Sequence, residues 1–236
     1  MTELSAAREN RLLAQLPDRS LEALLQVAEL APFRGRTYVQ HNGEPVRTVH
    51  FPLSGMLSMI SVDETGSAVE VATVGREGMS GVTAILGVPP LPFDVMWQIP
   101  GRSLAVEPIA LKTALDGEPL FSDLAVRSLV ALLAQAGQNA GCNRLHDIDQ
   151  RAAKWLLLCL DRVDEDSFDL TQEFFAIMLG VTRPRLNLVQ ATFARAGFIR
   201  YSRGRLTVLD RPALEDQACG CYAVIAGKLA ELETRD

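Results

Sequence analysis

The sequence predicts an α+β chain in which an antiparallel β domain precedes a helical C-terminal part. Three observations indicate this order. Short β-rich runs separated by Gly, Pro, Asn and Asp fill residues 37–106. After Pro108 the apolar residues recur every three or four positions, the period of an amphipathic helix. A last pair of β-rich runs, 198–201 and 205–209, flanks a turn that contains glycine.

Length and composition exclude several classes of protein. The chain has 236 residues, enough for one large domain or two small ones with a buried core. Hydrophobic residues make up 48% and charged residues 22%, unlike a disordered, collagen-like or disulfide-stapled chain. The longest uncharged stretches, 78–93 and 128–143, fall short of the roughly 20 apolar residues of a membrane span. No signal-peptide pattern opens the chain, so we expect a cytosolic protein with free thiols and no membrane contact.

Residues 37–106 are expected to form short strands in an antiparallel sandwich or barrel. A short amphipathic helix over 19–31 precedes them. The candidate strands are the runs TYVQ, VRTVHF, MLSMISV, AVEVATV, DVMWQI and SLAVE, with HNGEP, PLSG and DETG as turns. A stretch rich in Gly and Pro, 75–93, interrupts this pattern.

Three helices are predicted after the β domain, over 109–115, 119–143 and 147–163. The second has a seam of small and aliphatic residues, although each Gly costs a helix about 1 kcal/mol relative to Ala. Close approach of another backbone would explain the seam. That backbone belongs either to the chain's own β domain or to a second subunit across a two-fold axis, and we favour the second subunit. The seam consists of Leu129, Leu133, Ala136, Gly137, Ala140 and Gly141.

Charge is unevenly distributed along the chain. The formal net charge is −6, which by itself argues against a nucleic-acid binder. Residues 183–205, however, hold six arginines and no acidic residue. A block of one sign inside an acidic protein indicates either an anion-binding surface or a solvated basic face.

Residues 169–209 carry a helix-turn-helix pattern followed by a hairpin. Thr171 can cap a first helix and Thr182 a second one, with Pro184 in the first turn of the second helix, where a missing N–H costs nothing. Gly180 lies where the first helix should end. Counted from Gln172, small or aliphatic residues occupy the positions where two such helices cross: Ala176, Gly180, Leu186 and Val189.

The arginines suggest what the second helix binds. Cations in a first helical turn oppose the helix dipole, so Arg183 and Arg185 favour an anion at that end. Recognition helices enter the major groove of DNA by their N-terminal residues, and Arg can pair bidentately with guanine. Asn187 or Gln190 could read adenine. Either both arginines read bases, or one of them holds a phosphate.

The hairpin after Gly197 is expected to act as a wing. Arg200, Arg203 and Arg205 lie on its strands and turn, together with Ser202. These side chains would meet the phosphate backbone beside the groove. The local prediction is a winged helix-turn-helix that binds double-stranded DNA, with the cap residues Thr171 and Thr182 among its DNA contacts.

Nearly the whole chain resembles the Crp/Fnr family of bacterial transcription regulators, most clearly in LTQEFFAIMLGVTR and AGFIRYSRGRLTVLDRPAL. The resemblance implies a jelly-roll-like β-roll of cyclic-nucleotide-binding type over 1–118, a dimerisation helix over 119–144 and a winged helix-turn-helix domain over 145–236. It further implies a homodimer on a palindromic promoter site, with RNA polymerase as a partner.

The predicted effector pocket departs from the family's cyclic-nucleotide cassette. Gly78, Ser80, Gly81 and Val82 are the candidate pocket residues. Val82 stands where the cassette has Glu, and no Arg occurs between Arg76 and Arg102 to neutralise a cyclic phosphate. We therefore expect no cyclic AMP binding in the usual pose. The alternative is a module that still responds to a cyclic nucleotide or another small anionic ligand in an unusual pose.

Other cofactors and catalysis lack support in the sequence. The first cysteine is Cys142, so the N-terminal cysteine cluster of the iron–sulfur members is missing, and the three histidines have no cysteine partner in the β domain to favour haem. Cys219 and Cys221 form a CxC pair, but two thiols make an incomplete tetrahedral metal site, so we expect no metal and a packing role. Nucleophile, P-loop and dinucleotide motifs are absent from the sequence, which disfavours an enzyme.

Overall fold

A short helical segment opens the computed structural model, which describes residues 3–232. Helix α1 (Glu3–Ala7), a 3₁₀ turn (Leu13–Gln15) and α2 (Asp18–Leu25) pack their leucines into the first core. The predicted helix over 19–31 is too long. Residues Glu29–Phe33 form strand β1, because they pair with the last long strand of the sheet at Glu29↔Ala105.

The N-terminal sheet is antiparallel, as predicted, and it has five strands in place of the six predicted runs. They are β1, β2 (Thr37–Gln40), β3 (Val49–Val62), β4 (Ala68–Val74) and β5 (Asp94–Val106). The order is β1-β5-β3-β4, and β2 pairs with the first half of β5 while β1 pairs with its second half. Helix α3 (Val82–Leu86) interrupts the strands within the stretch rich in Gly and Pro.

Strand β3 runs through the segment PLSG, which the sequence pattern wrongly assigns to a turn. The pairing with β5 shifts register around Pro52 and Met56 instead of ending. Gly55 lies at this irregularity with φ +80°, and an added Cβ would lie 2.7 Å from the carbonyl oxygens of Ile99 and Pro100. Glycine therefore lets β3 bend without breaking.

Two helices follow the sheet, and the second is the longest element of the described chain. Helix α4 spans Pro108–Ala114 and α5 spans Pro119–Leu145. By length and composition alone α5 could cross a membrane. In this fold, however, its buried residues Leu120, Phe121, Leu124, Ala125 and Leu132 belong to the core of the β domain. That contact accounts for much of its apolar character.

The C-terminal part contains the helices and the hairpin predicted there. Helix α6 (Ile148–Leu160) leads to β6 (Ser167–Asp169), and α7 (Gln172–Met178) and α8 (Arg183–Arg195) form the helix-turn-helix. Strands β7 (Ile199–Ser202) and β8 (Arg205–Val208) join β6 in a three-stranded sheet of order β6-β8-β7. Helices α9 (Arg211–Gln217) and α10 (Cys221–Ala230) complete the described chain.

The N-terminal sheet and the C-terminal part share a second core. Met56, Ile60, Met96 and Ile99 of the sheet pack in one cluster with α6, α7 and α8. A buried ion pair crosses the same boundary, since Arg162 Nη2 lies 2.7 Å from Glu77 Oε1. The residues that carry the helix-turn-helix are thus held firmly against the sheet.

Candidate nucleic-acid interface

The helix-turn-helix is built from the caps that the sequence indicates. Thr171 is the N-cap of α7, and its hydroxyl accepts from Phe174 N–H at 3.3 Å. Gly180 follows α7 with φ +61°, a left-handed conformation that suits glycine. Thr182 is the N-cap of α8, and Pro184 lies in its first turn. The buried residues where α7 and α8 meet are Ala176, Leu186, Val189 and Phe193.

The N-terminal half of α8 presents its polar face to solvent. Arg183, Arg185 and Asn187 are all exposed, as is the cap residue Thr182. Arg183 makes one weak contact, from Nη2 to Gln172 Oε1 at 3.4 Å. Leu188 is 71% exposed on the same helix, where an apolar side chain gains nothing from the fold itself. The N-terminal half of α8 is therefore accessible to a ligand.

Gln190 does not belong to that exposed face. Its side chain is buried, and its Oε1 accepts a hydrogen bond from Gln172 Nε2 at 3.0 Å. The expectation that Gln190 reads adenine is therefore corrected: the residue joins the two helices of the motif. Gln190 lies four residues after Leu186, so helical spacing places it on the inner face of α8. Its polar character suggested an exposed position instead.

The wing turns through two residues with positive φ. Arg203 (φ +51°) and Gly204 (φ +80°) connect Ser202 to Arg205, the arrangement of a type I′ hairpin turn. Arg200, Ser202 and Arg203 are exposed. The tip of the hairpin therefore projects a cation, as the sequence predicts.

Arg205 differs from the other wing arginines. Its Nη2 lies 2.7 Å from Glu165 Oε2 and 2.6 Å from Ser167 Oγ, and its Nη1 lies 3.4 Å from Asp169 Oδ1. Two carboxylates thus already compensate its charge. Arg205 thus links β8 to β6, and its contact with a phosphate stays a prediction.

An arginine of the β domain, which the sequence pattern did not single out, contacts the helix-turn-helix. Arg36 Nη2 donates to Thr171 Oγ1 at 2.6 Å, and its guanidinium lies 4.5 Å from the centre of the Phe174 ring. Arg36 adopts φ +65° in the turn between β1 and β2. The Thr171 hydroxyl, predicted to touch DNA, thus accepts hydrogen bonds within the protein.

The predicted effector pocket is nearly filled. Ser80, Gly81 and Val82 line a cavity of about 20 Å³, together with Phe93 of the β domain and Leu132 of α5. That volume holds about one water molecule. Gly78 lies outside it, and its carbonyl instead accepts from Asn10 Nδ2 at 2.9 Å. Within the described chain the cavity lining includes no cationic side chain.

The structure divides the predicted seam on α5. Leu133, Gly137 and Ala140 are exposed, whereas Ala136 and Gly141 are half-buried and Leu129 packs against the β-domain core. An added Cβ at Gly137 or Gly141 meets no atom within 4 Å. Val126 and Val130, which the predicted seam omitted, extend the exposed apolar stripe. We call Val126, Val130, Leu133, Gly137 and Ala140 the open face of α5.

A buried polar group lies where the sheet meets α6. Glu70 of β4 accepts from Ser58 Oγ at 2.6 Å and from Trp155 Nε1 at 2.8 Å. Burial raises the pKa of Glu70 to about 7, although these hydrogen bonds and the charges of Lys154 and Arg162 oppose the rise. Glu70 and Trp155 are 85 residues apart in the sequence, which gives no sign of this contact.

Comparisons with known proteins also identify the helix-turn-helix. Residues 150–217 match the Crp-like helix-turn-helix domain. Over 192 residues the chain is 26% identical to the CRP-like cAMP-activated global transcriptional regulator of Mycobacterium tuberculosis, covering 78% of this chain and 85% of that protein.

Solved structures agree in fold. FixK2 from Bradyrhizobium japonicum superposes with a TM-score of 0.68 at 15% identity, covering 82% of this chain and 98% of its own. A CRP-family regulator from Thermus thermophilus gives 0.65 at 20% identity, covering 80% and 96%. These likenesses show the fold. The C-terminal part carries a Crp-like helix-turn-helix domain, and most of the chain is similar to a CRP-like transcriptional regulator.

Proposed function

We propose that the chain acts as a homodimer that binds a palindromic promoter site through α8 and the wing. The observation that carries this proposal is the exposed first turn of α8, where Arg183 and Arg185 have no carboxylate partner among the described residues. In the same domain Arg205 and Arg211 are paired with acids. Carboxylates thus pair with the arginines that stabilise the fold, whereas Arg183 and Arg185 stay available to bind an anion.

The dimensions of α8 suit the major groove. Its 13 residues extend for about 20 Å, and the groove is about 12 Å wide. Arg185 and Asn187 would approach base edges, and Arg203 at the wing tip would approach the phosphate backbone. Leu188 is exposed on the same helix, so we propose apolar contact with a thymine methyl at that position.

The open face of α5 supports the proposed dimer. Small residues at Gly137 and Ala140 would let a second copy of the helix approach closely, while Val126, Val130 and Leu133 would lose their exposure. Two-fold symmetry would then place the two copies of α8 in half-sites about 34 Å apart. Contact with RNA polymerase stays a prediction from the family resemblance.

For the effector domain we propose that cyclic AMP does not bind in the usual pose. The curated relative is described as activated by cAMP. In this chain the corresponding cavity has room for about one water molecule and a lining without cations among the described residues. A small anionic ligand in another pose is the second candidate effector.

The test separates base reading from phosphate binding. Arg185→Ala, Arg203→Ala and Arg205→Ala are titrated on operator and scrambled duplexes at several salt concentrations. Arg185→Ala should lose about 10- to 100-fold on the operator and much less on scrambled DNA. Arg203→Ala should weaken both and lower the salt slope by about one unit.

Two variants serve as controls. Arg205→Ala should lower the salt slope less than Arg203→Ala, because Glu165 and Asp169 already pair with that guanidinium. Arg195→Ala removes one exposed cation from the far end of α8 and controls for net charge. Equal losses on both duplexes for Arg185→Ala would refute base reading by that residue. Unchanged binding in every variant would refute the proposed interface.

A further inference from the structure

Four metal-ligating side chains converge where α5 meets the C-terminal helices. Cys142 lies on α5, and His146 caps its C-terminal end. Cys221 is the first residue of α10, and Cys219 lies two residues before it. Cys142 Sγ is 3.6 Å from Cys219 Sγ, and Cys221 Sγ is 3.5 Å from His146 Nδ1. One donor atom from each residue lies within 4.8 Å of the other three.

These separations fit one tetrahedral ion. With metal–sulfur bonds of about 2.3 Å and a metal–nitrogen bond of about 2.0 Å, the edges of the tetrahedron are roughly 3.5–3.8 Å. The Cys142–Cys219 and Cys221–His146 distances match those edges, and the remaining pairs need only small side-chain shifts. The sequence predicted an incomplete metal site because Cys219 and Cys221 supply only two donors. The fold adds Cys142 and His146, which makes four.

We propose that Cys142, His146, Cys219 and Cys221 bind one Zn²⁺ ion in a closed Cys₃His site. Zinc is the metal that favours four N and S ligands in tetrahedral geometry. All four positions are filled by protein side chains, as in structural rather than catalytic sites. The three cysteines are buried and His146 is half-buried, so the ion would enter from the histidine side.

Hydrogen-bond donors and a cation lie near the cysteine sulfurs. Gln138 Nε2 donates to Cys221 Sγ at 3.0 Å, and the backbone N–H of Cys221 donates to Cys219. Hydrogen bonds of this kind orient ligands and stabilise their negative charge. Three thiolates, a neutral His and Zn²⁺ carry a net charge of −1. Arg151, which interacts electrostatically with Cys142 and Cys219, supplies a nearby positive charge.

The ion would connect elements that are distant in sequence. Cys142 and Cys219 are 77 residues apart, so zinc would tie the end of α5 to the junction between α9 and α10. Arg151 also donates to the carbonyl of Leu179, at the turn before α8. The site would therefore fix how the DNA-binding domain sits on the helix that carries the open face. This role goes beyond the proposed DNA binding and does not depend on it.

Metal analysis of the unaltered chain tests the proposal. The reduced protein is dialysed against zinc, freed of loose metal and analysed by mass spectrometry, and we expect about one zinc ion per chain. Cobalt added to the chelator-treated protein should give the thiolate charge-transfer and d–d absorption bands of tetrahedral Co²⁺. Cys221→Ser and His146→Ala should lose most of the bound metal. Cys159→Ala removes the one cysteine outside the cluster and should keep it.

A second measurement uses the unaltered chain, so its result does not depend on whether the variants fold. Alkylation followed by peptide mapping should show zinc-dependent protection of Cys142, Cys219 and Cys221, and none of Cys159. A reduced chain that stays free of metal after dialysis would overturn the proposal. So would a stable Cys142–Cys219 disulfide in place of metal under mild reducing conditions, or equal metal content in Cys221→Ser and the unaltered chain.

Discussion

The ion pair between Glu77 and Arg162 gives the sharpest prediction about stability. Arg162 follows α6, and Glu77 lies in the loop after β4, so the pair joins the C-terminal part to the sheet. Both side chains are buried, with 7% of the surface of Glu77 and 1% of that of Arg162 exposed. Arg162 also donates to the carbonyl of Leu158 at 2.8 Å, and Glu77 accepts from the backbone N–H of Gly75 at 3.0 Å. All three guanidinium nitrogens of Arg162 thus donate, and Glu77 Oε1 accepts three hydrogen bonds.

The expected cost depends on which partner is removed. Glu77→Gln leaves the guanidinium buried without a counter-charge, which should reduce the free energy of unfolding by about 3–5 kcal/mol. The double variant with Arg162→Met replaces the pair by neutral groups, so it should cost no more than Glu77→Gln alone. We expect a coupling energy of at least about 2 kcal/mol between the two sites.

Urea unfolding, followed by circular dichroism and by the fluorescence of Trp97 and Trp155, measures these energies. Glu231→Gln, which breaks the exposed pair with Lys228, is the control and should cost less than about 1 kcal/mol. Burial alone would raise the pKa of Glu77, but the Arg162 charge and hydrogen bonds outweigh it and lower the pKa. The stabilisation is therefore present above the usual carboxyl pKa and is lost as the pH falls through the lowered value. A loss below about 1 kcal/mol for Glu77→Gln would refute the reasoning.

Three further predictions concern pH, assembly and the effector. Burial raises the pKa of Glu70 from 4.5 to about 7, so its contribution to stability is full below pH 4.5 and is lost as the pH rises to about 7. Glu70→Gln should therefore remove up to about 3 kcal/mol of the pH dependence of the free energy of unfolding between pH 4.5 and about 7, and an unchanged pH profile in urea unfolding would contradict this. Gly137→Leu should weaken dimerisation, measured by sedimentation, while raising helix stability by several tenths of a kcal/mol. The control Gly227→Leu replaces another exposed helical glycine with open space around it and should leave assembly unchanged. A monomeric unaltered chain at micromolar concentration would refute the dimer. Calorimetry should find no micromolar binding of cyclic AMP, with the mycobacterial relative as positive control, and tight binding would show that the cavity opens.

The features predicted correctly from the sequence are mostly local. Thr171 and Thr182 occupy the N-cap positions of α7 and α8, although only the Thr171 side chain makes a capping hydrogen bond. Gly180 and Gly204 allow left-handed turns. Each of these features depends on neighbours only a few residues away. The same holds for the helix over 119–143, observed as Pro119–Leu145. Local signals also placed Arg183, Arg185 and Arg203 on exposed surface.

The features missed depend on contacts between distant segments. Arg205 resembles a free cation until Glu165 is placed 2.7 Å away, and the Cys219–Cys221 pair looks incomplete until α5 supplies Cys142 and His146. Strand β1 was mistaken for the end of a helix because its pairing with β5 joins residues far apart in sequence. Periodicity within one window cannot report such partners.

Helix α5 connects these long-range features along a single face. Leu132 lines the small cavity, and Gln135 Oε1 accepts from Thr73 N at 2.6 Å one turn later. Asn139 Oδ1 then accepts from Lys154 Nζ of α6 at 2.7 Å, and Cys142 and His146 belong to the four-donor cluster. The five α5 residues follow one another at spacings of three or four, so they lie on one side of the helix.

The opposite side of α5 is the open face. Helix α5 carries the cavity wall, the contacts to the DNA-binding domain and the proposed dimer surface. When this helix moves as a rigid body, all three surfaces move together. An effector that entered the cavity would contact Leu132, and a displacement of Leu132 would act on α8 through the same helix, in each subunit of the proposed dimer. The buried polar contacts at Gln135 and Asn139 set the cost of such a shift, because each would lose a partner away from water.

Removing one of these polar contacts should therefore make the helix easier to shift. Gln135→Leu should make DNA affinity respond more readily to a ligand, whereas the same substitution at Gln26, which is exposed on the surface of the β domain, should leave the response as it is. Fluorescence anisotropy of labelled operator DNA, recorded with and without ligand, measures both variants. An unchanged ligand response in Gln135→Leu would show that α5 does not carry the coupling.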